Sequence, residues 1–309
     1  MLVRFIKRPT HTGWKLSQSN LMRIRLILLF FLVSSFWASL FGQEVPFPQI
    51  PCSAYRYQVT STDINTNSKL WRYHPVTGKR TLMGTLNYYV NAIGYNIKDH
   101  YIWGARVNGS IVSIGIDGST TSYAITGLPS SEYIIGDVSP DGYYYLYDSG
   151  NQIYYTIDLD PSRATYLKLV NPTNNYVVDG RSPKGTPLAS EIAIDDWAYN
   201  PQDGLLYGEI RATTVTINNG NAFSVNTLDP VTNTRVWKKK VDNSGGFREP
   251  KTATSRFFGA TFFDNSGNFY AVANASGNFF KIDLTTDPHK SILLSDPSLG
   301  IAVTKNDGA

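Results

Sequence analysis

The sequence predicts an all-β protein, a five-bladed β-propeller with four-stranded blades, closed by pairing its N- and C-terminal strands. Three observations carry that prediction. A hairpin pattern recurs along the chain. The composition suits strands and turns, with 20 tyrosines, 15 phenylalanines, 25 glycines and 16 prolines but only 3 methionines; aromatic residues fit a pleated surface, and glycine and proline its turns. Finally, no apolar stripe of 3.6-residue period runs beyond a turn or two, as an amphipathic helix requires.

The hairpin is clearest over residues 91–104, N-A-I-G-Y-N-I-K-D-H-Y-I-W-G. Related copies start at Gly136, Asp195 and Gly259, and an incomplete one, G-I-A-V-T-K-N-D-G-A, ends at Ala309. The turns of these copies, read at Asp99, Asp141, Asp203, Ser266 and Asp307, lie 42, 62, 63 and 41 residues apart. A four-stranded unit of about 40–45 residues has the length of a propeller blade. The two longer spacings hold insertions, 171–192 and 242–256, whose Pro, Gly, Asn and Ser content suits surface loops. A β-sandwich would have a similar strand count but offers no reason for the repeat.

Taken in order, residues 1–43 read as a signal peptide. They carry six basic side chains (Arg4, Lys7, Arg8, Lys15, Arg23 and Arg25), no acid, an apolar run at 26–40, and small residues at Ala38, Ser39 and Gly42. The run is shorter than the roughly 20 residues that span a bilayer, so no stable membrane span is expected once the leader is removed. An uncleaved anchor, or a start at Met22, is the alternative. The protein is therefore expected to be secreted, extracellular or at the cell surface. Without the leader the balance is 22 basic to 24 acidic residues, a net charge of −2. With no basic face beyond the run Lys238, Lys239 and Lys240, nucleic acid is not an expected partner.

Residues 44–52 form a proline-punctuated, extended linker. It ends at Cys52, the only cysteine. An odd cysteine in an oxidising compartment is a disulfide candidate, and its expected partner is a cysteine beyond residue 309. The propeller domain is read as 53–309. Strands are predicted at 55–60, 69–74 and 80–86, and these supply the second, third and fourth strands of the closing blade. Each repeat then contributes an inner strand, a turn, a second strand of the Tyr-Ile-Trp-Gly type, a third strand (110–116, 152–159, 222–228, 278–284) and an outer one (121–125, 164–170, 234–241, 290–294). The missing inner strand of the closing blade is placed at 300–303, with Asn306, Asp307 and Gly308 as its turn.

The repeats resemble a family of secreted, propeller-like proteins known as a domain of unknown function. The likeness rests on residues 91–96, Gly136-Asp137-Val138, 196–201, 258–263 and the closing Asn306-Asp307-Gly308-Ala309, and covers nearly the whole chain after the leader. It implies a secreted repeat domain, often one part of a larger extracellular protein, and no particular activity.

Inner strands line the channel of a propeller, so their polar residues are the candidate site. Asn91, Asp137, Asp196 and Trp197 are candidate ligand-binding residues. Two readings of the carboxylates compete. Asp137, Asp195 and Asp196 could serve as catalytic acids of a carbohydrate-active enzyme, since glycosidases use paired carboxylates. Alternatively they accept hydrogen bonds from neighbouring strands and pin blades together. Glycines at the matching places, Gly259 and Gly300, leave the ring of acids incomplete and favour the second reading. No cofactor is expected, and Ca²⁺ is the one ion these oxygen groups suit. The four scattered histidines make no zinc site. The aromatic run 143–147 reads as core between blades or as a sugar platform. Asn108 and Asn274 are candidate glycosylation acceptors, each in an Asn-x-Ser sequon. The function expected is non-catalytic recognition or adhesion, with an extracellular protein or glycan as partner, by a monomer or by one part of a larger extracellular assembly. The alternative is a glycoside hydrolase-like enzyme using the channel carboxylates.

Overall fold

The computed structural model describes residues 48–50, 55–74, 79–148, 153–170, 178–179, 194–211, 223–230, 234–242, 258–274, 277–287, 289–294 and 305–309. They belong to one compact unit, Phe47–Ala309. The leader, Cys52 and most of both insertions lie outside the described residues. Among those described, no helix is long and apolar enough to cross a membrane.

The chain runs through β1 (Arg56–Ser61), β2 (Lys69–Tyr73), β3 (Arg80–Thr85), β4 (Asn91–Asn96), β5 (Tyr101–Ala105), β6 (Ser110–Ile114), β7 (Thr120–Ala124), β8 (Ile135–Val138), β9 (Tyr143–Asp148), β10 (Ile153–Asp158) and β11 (Lys168–Leu169). It continues with β12 (Val178–Asp179), β13 (Ile194–Tyr199), β14 (Leu206–Arg211), β15 (Phe223–Asp229), β16 (Thr234–Asp242), β17 (Phe258–Phe263), β18 (Phe269–Ala273), β19 (Phe279–Asp283), β20 (His289–Leu293) and β21 (Lys305–Gly308). The result is an all-β β-propeller with four-stranded blades.

The hydrogen-bonded sheets are four where the repeats lead one to expect five. Three have four strands, ordered β21-β1-β2-β3, β4-β5-β6-β7 and β8-β9-β10-β11. The fourth has nine. It arises because β16 continues to Asp242 and pairs in parallel with β20, Val241 against His289 and Asp242 against Lys290, which joins β13-β14-β15-β16 to β17-β18-β19-β20. The short β12 adds a second parallel pairing on β16.

The innermost strands β4, β8, β13, β17 and β21 pack side by side in a circuit. Among the described residues no hydrogen-bonded ladder closes that circuit, and none runs from one inner strand to the next. Aromatic and aliphatic clusters fill the spaces between successive four-stranded units. Trp103 and Ile111 meet Tyr144 and Leu146; Tyr145 and Tyr147 meet Trp197; Ala198 meets Phe258 and Phe280; and Val59 and Leu70 meet Ile93 and Ile102. Burying such side chains contributes roughly 1.5–3 kcal/mol each. The run 143–147 is thus largely core: Tyr144, Tyr145 and Tyr147 are buried, and Tyr143 lies under the Arg163 guanidinium.

Two parts of the chain depart from the sequence reading. Asn306, Asp307 and Gly308 are strand rather than turn, in β21, which pairs with β1, Asp307 opposite Val59; the predicted strand at 300–303 lies outside the described residues. Residues 48–50, at the end of the predicted linker, are packed down. Ile50 is fully buried, its N–H donates to His100 O at 2.8 Å, and Ile116 N donates to Pro48 O at 3.1 Å.

Candidate functional site

An inner strand of a propeller has one partner strand. Half of its backbone N–H groups therefore face the axis, away from any ladder and away from bulk water, and a buried donor left without an acceptor is costly. Three aspartates answer that need in the same way. Asp137 on β8 accepts Tyr199 N–H of β13 on Oδ2 and Val138 N–H on Oδ1, both at 2.7 Å. Asp196 on β13 accepts the Thr261 N–H of β17 on Oδ2 at 2.6 Å, the Thr261 hydroxyl at 3.0 Å, and Trp197 N–H on Oδ1 at 2.8 Å. Asp307 on β21 accepts Ile93 N–H of β4 on Oδ2 at 3.0 Å and Gly308 N–H on Oδ1 at 2.6 Å.

Local irregularity presents one of these donors, Ile93. In β4 the register jumps between Asn91 and Gly94, Ala92 takes a left-handed φ of 55°, and Ile93 falls in the bulge. A bulge leaves its extra residue out of the ladder and re-aims it. Comparable shifts occur at the start of β13, between Ile194 and Asp196, and of β17, between Phe258 and Ala260. At the two junctions without a carboxylate the strands approach closely instead. A Cβ on Gly94 would lie 2.4 Å from Val138 N, and one on Gly136 2.8 Å from Ala92 O, between β4 and β8. A Cβ on Gly308 would lie 2.8 Å from the Phe262 ring, between β21 and β17.

Burial pushes the Asp137 carboxyl up to about 7, against the pull of its two N–H donors. Asp196 and Asp307 are raised well above the usual carboxylate range, by burial first and then by repulsion within the trio. Asp307 escaped the sequence reading because Asn-Asp-Gly is a strong turn signal. The available clue was an Asp within an inner segment whose own following N–H it could cap, as in Asp137-Val138 and Asp196-Trp197.

Above Asp137 the inner strands open into a funnel of about 640 Å³, the size of a small-molecule site. Its wall includes Tyr95 of β4, Tyr199 and Pro201 around the end of β13, Phe262 and Phe263 of β17, Tyr270 of β18 and Tyr57 of β1. The Arg56 guanidinium lies 5.9 and 5.6 Å from the centres of the Phe262 and Tyr270 rings and 3.9 Å from Asp264. Burial lowers the Arg56 pKa, and hydrogen bonds from Asn268, Tyr270 and Ser266 hold Asp264 below its usual value.

The other candidates fall elsewhere. Asp196 is 0% exposed and does not line the funnel. Asp195 lies in β13, and its side chain is outside the described ones. Trp197 is core between β9 and β13, its Nε1 without a hydrogen-bond partner. Asn91 is buried, donating to the Tyr89 hydroxyl at 3.3 Å. Asn108 sits in an exposed turn, its Oδ1 accepting the Ser110 hydroxyl at 2.6 Å, whereas Asn274 is 5% exposed. Among the described residues no three of His, Cys, Asp and Glu are grouped to hold a metal ion.

Fold and site together define a β-propeller repeat domain with a stapled axis and an aromatic funnel. The chain belongs to the family described as "Repeat of unknown function (DUF6923)", whose profile matches residues 57–309. No curated protein matches the chain. Among solved structures, "Kuenenia stuttgartiensis Hydrazine Synthase" is similar at 11% identity with a TM-score of 0.40, over 73% of this chain and 76% of that one.

Proposed function

We propose that this protein is a secreted, non-catalytic recognition or adhesion module that takes part of an extracellular protein or glycan into its funnel. The observation that carries this reading is the use of the channel carboxylates. Asp196 accepts three hydrogen bonds and is 0% exposed, so no substrate reaches it, and of the two acids that line the funnel Asp264 is tied to Arg56, Asn268 and Tyr270, which leaves Asp137 as the one acid there not engaged by other side chains. Glycosidase chemistry of the usual kind needs two carboxylates flanking one bond. The secretion half of the proposal rests on the basic and apolar pattern of residues 1–43.

Within this reading the nine-stranded sheet counts as two blades joined at their outer edges, giving five blades around the axis. The circuit of five inner strands and the antiparallel pairing of β1 with β21 support that count. A glycan and protein-ligand array run beside a polysaccharide hydrolysis screen tests the function. Binding without turnover is the expected result. Turnover that disappears in Asp137→Asn would establish the enzyme reading instead.

A further inference from the structure

The funnel has one wall built as a flat, rigid platform. Tyr199 stacks on Tyr145 with ring centres 6.0 Å apart and planes 5° from parallel. Tyr145 is buried behind it and takes no part in the funnel, whereas Tyr199 lines the cavity. The Tyr199 backbone is tied to Asp137 through the 2.7 Å bond to Oδ2. Platform and carboxylate are thus fixed relative to each other. Each Asp137 oxygen uses one lone pair on an N–H and keeps another for a ligand donor.

Charge selects among ligands. Arg56 and Asp264, 3.9 Å apart, partly offset each other, and the remaining polar groups of the wall are chiefly tyrosine hydroxyls. An anionic ligand would sit beside Asp137, which already shares its surroundings with Asp196 on β13 and Asp307 on β21. A cation would meet the Arg56 guanidinium, whose charge Asp264 offsets only in part at 3.9 Å. A neutral ring with one apolar C–H face and hydroxyls at its edge meets neither objection and matches the platform and the acceptor together.

We propose that the funnel binds one neutral saccharide ring, stacked on Tyr199 with a ring hydroxyl donating to Asp137. This rests on the recognition reading and gives it a substrate class. A hydroxyl donates better to a carboxylate than to a carboxylic acid, so affinity rises as pH passes about 7 and Asp137 ionises. The other titratable or charged groups around it are Asp196, Asp307 and Tyr144 on β9, and, in the funnel wall, Arg56, Asp264 and the tyrosines, Tyr95, Tyr199 and Tyr270 among them.

The experiment is calorimetry and saturation-transfer NMR with neutral oligosaccharides of glucose, mannose, xylose and N-acetylglucosamine, with polygalacturonate as the anionic comparator. At least one neutral oligosaccharide is expected to bind, more tightly at higher pH. Tyr199→Ala should weaken it roughly tenfold, and Tyr199→Phe should keep most of the affinity. Should the alanine variant fail to fold, ligand-induced shifts of the Tyr199 ring protons in the unmodified protein decide in its place. Binding of none of the neutral probes, preference for polygalacturonate, unchanged affinity in a folded Tyr199→Ala, or the absence of Tyr199 shifts on binding would each overturn the proposal. Hydrolysis of a saccharide bound at Tyr199 would uphold the subsite and sink the non-catalytic reading; binding of peptides alone would do the reverse.

Discussion

Asp307 accepts the Ile93 N–H at 3.0 Å across 214 residues of sequence, joining the strand that ends the chain to the first inner strand of the repeats. The carboxylate meets a donor that the bulge in β4 has taken out of its ladder. A hydrogen bond contributes roughly 0.5–1.5 kcal/mol net, and up to about 3 where the acceptor is charged, while orphaning a buried N–H costs about 1–3 kcal/mol. Asp307→Ala should therefore lower stability by about 2–4 kcal/mol, with Asp307→Asn costing less because it keeps one acceptor. Urea unfolding monitored by tryptophan fluorescence measures both. An unchanged midpoint for the alanine variant would show that β21 is held by packing alone.

The same trio makes stability depend on pH in an unusual direction. Carboxyls raised on folding bind protons more tightly in the native state than in the unfolded chain, so stability falls as pH rises between those two values. For Asp137 the window runs from the ordinary carboxylate range up to about 7, and Asp196 and Asp307 extend it upward. Asp264, held low by its hydrogen bonds, works oppositely and only at acid pH. Thermal melts should show a decline in Tm from mildly acid to mildly alkaline pH, with a shallower slope in Asp196→Asn. A Tm that climbs steadily over that range would contradict the shared burial of these groups.

Where carboxylates are absent, close approach takes over. Gly94→Ala would set a methyl group 2.4 Å from Val138 N, backbone that cannot swing aside. Overpacking of this kind usually costs 1–3 kcal/mol, occasionally more, so the variant should melt markedly lower than the parent. Gly127, whose added Cβ would meet only the flexible Leu169 side chain at 3.3 Å, has a positive φ of 86° and should suffer from backbone strain instead. Replacing Gly127 by Asn, which tolerates that region, should recover part of its loss, whereas Gly94→Asn should recover none.

Much of this architecture is legible in the sequence because its turns are local. Asn96-Ile97-Lys98-Asp99 and Asn200-Pro201-Gln202-Asp203 close through their own Asx side chains, as Lys98 N to Asn96 Oδ1 and Gln202 N to Asn200 Oδ1, and such bonds leave a pattern. The candidate site was legible only in part. Asp137 and Asp196 stand out as acids on inner strands, but their partners are 62 and 65 residues away and no local signal names them. Asp307 was hidden by the turn propensity of its neighbours. The joining of two sheets through β16 and β20 depends on how far one outer strand runs, which alternation does not specify. The Tyr199 platform needs Tyr145 from another sheet, so only the assembled fold displays it.

The segment before the first strand yields the last prediction. As sequence, residues 44–52 are a run of prolines and apolar side chains with nothing to pair with. In the fold, residues 48–50 lie along the β4–β5 hairpin and the end of β6. Gln49 Nε2 donates to Asp99 O at 2.9 Å, the Tyr95 hydroxyl donates to Ile50 O at 3.2 Å, and the Ile50 side chain packs with Ile93, Ile102 and Ile114. Tyr95 and Ile50 both line the funnel, so this strap belongs to its wall. Removing a fully buried isoleucine side chain typically costs 2–5 kcal/mol. Ile50→Ala should fall in that range, and Tyr95→Phe, which frees both the Ile50 carbonyl and His100 Nδ1 while keeping the ring, should cost about 1–2 kcal/mol. If the strap were a tether lying idle on the surface, both variants would unfold at the parent's denaturant concentration. If it is wall, both lose stability, and a ligand bound in the funnel should restore some of it by mass action.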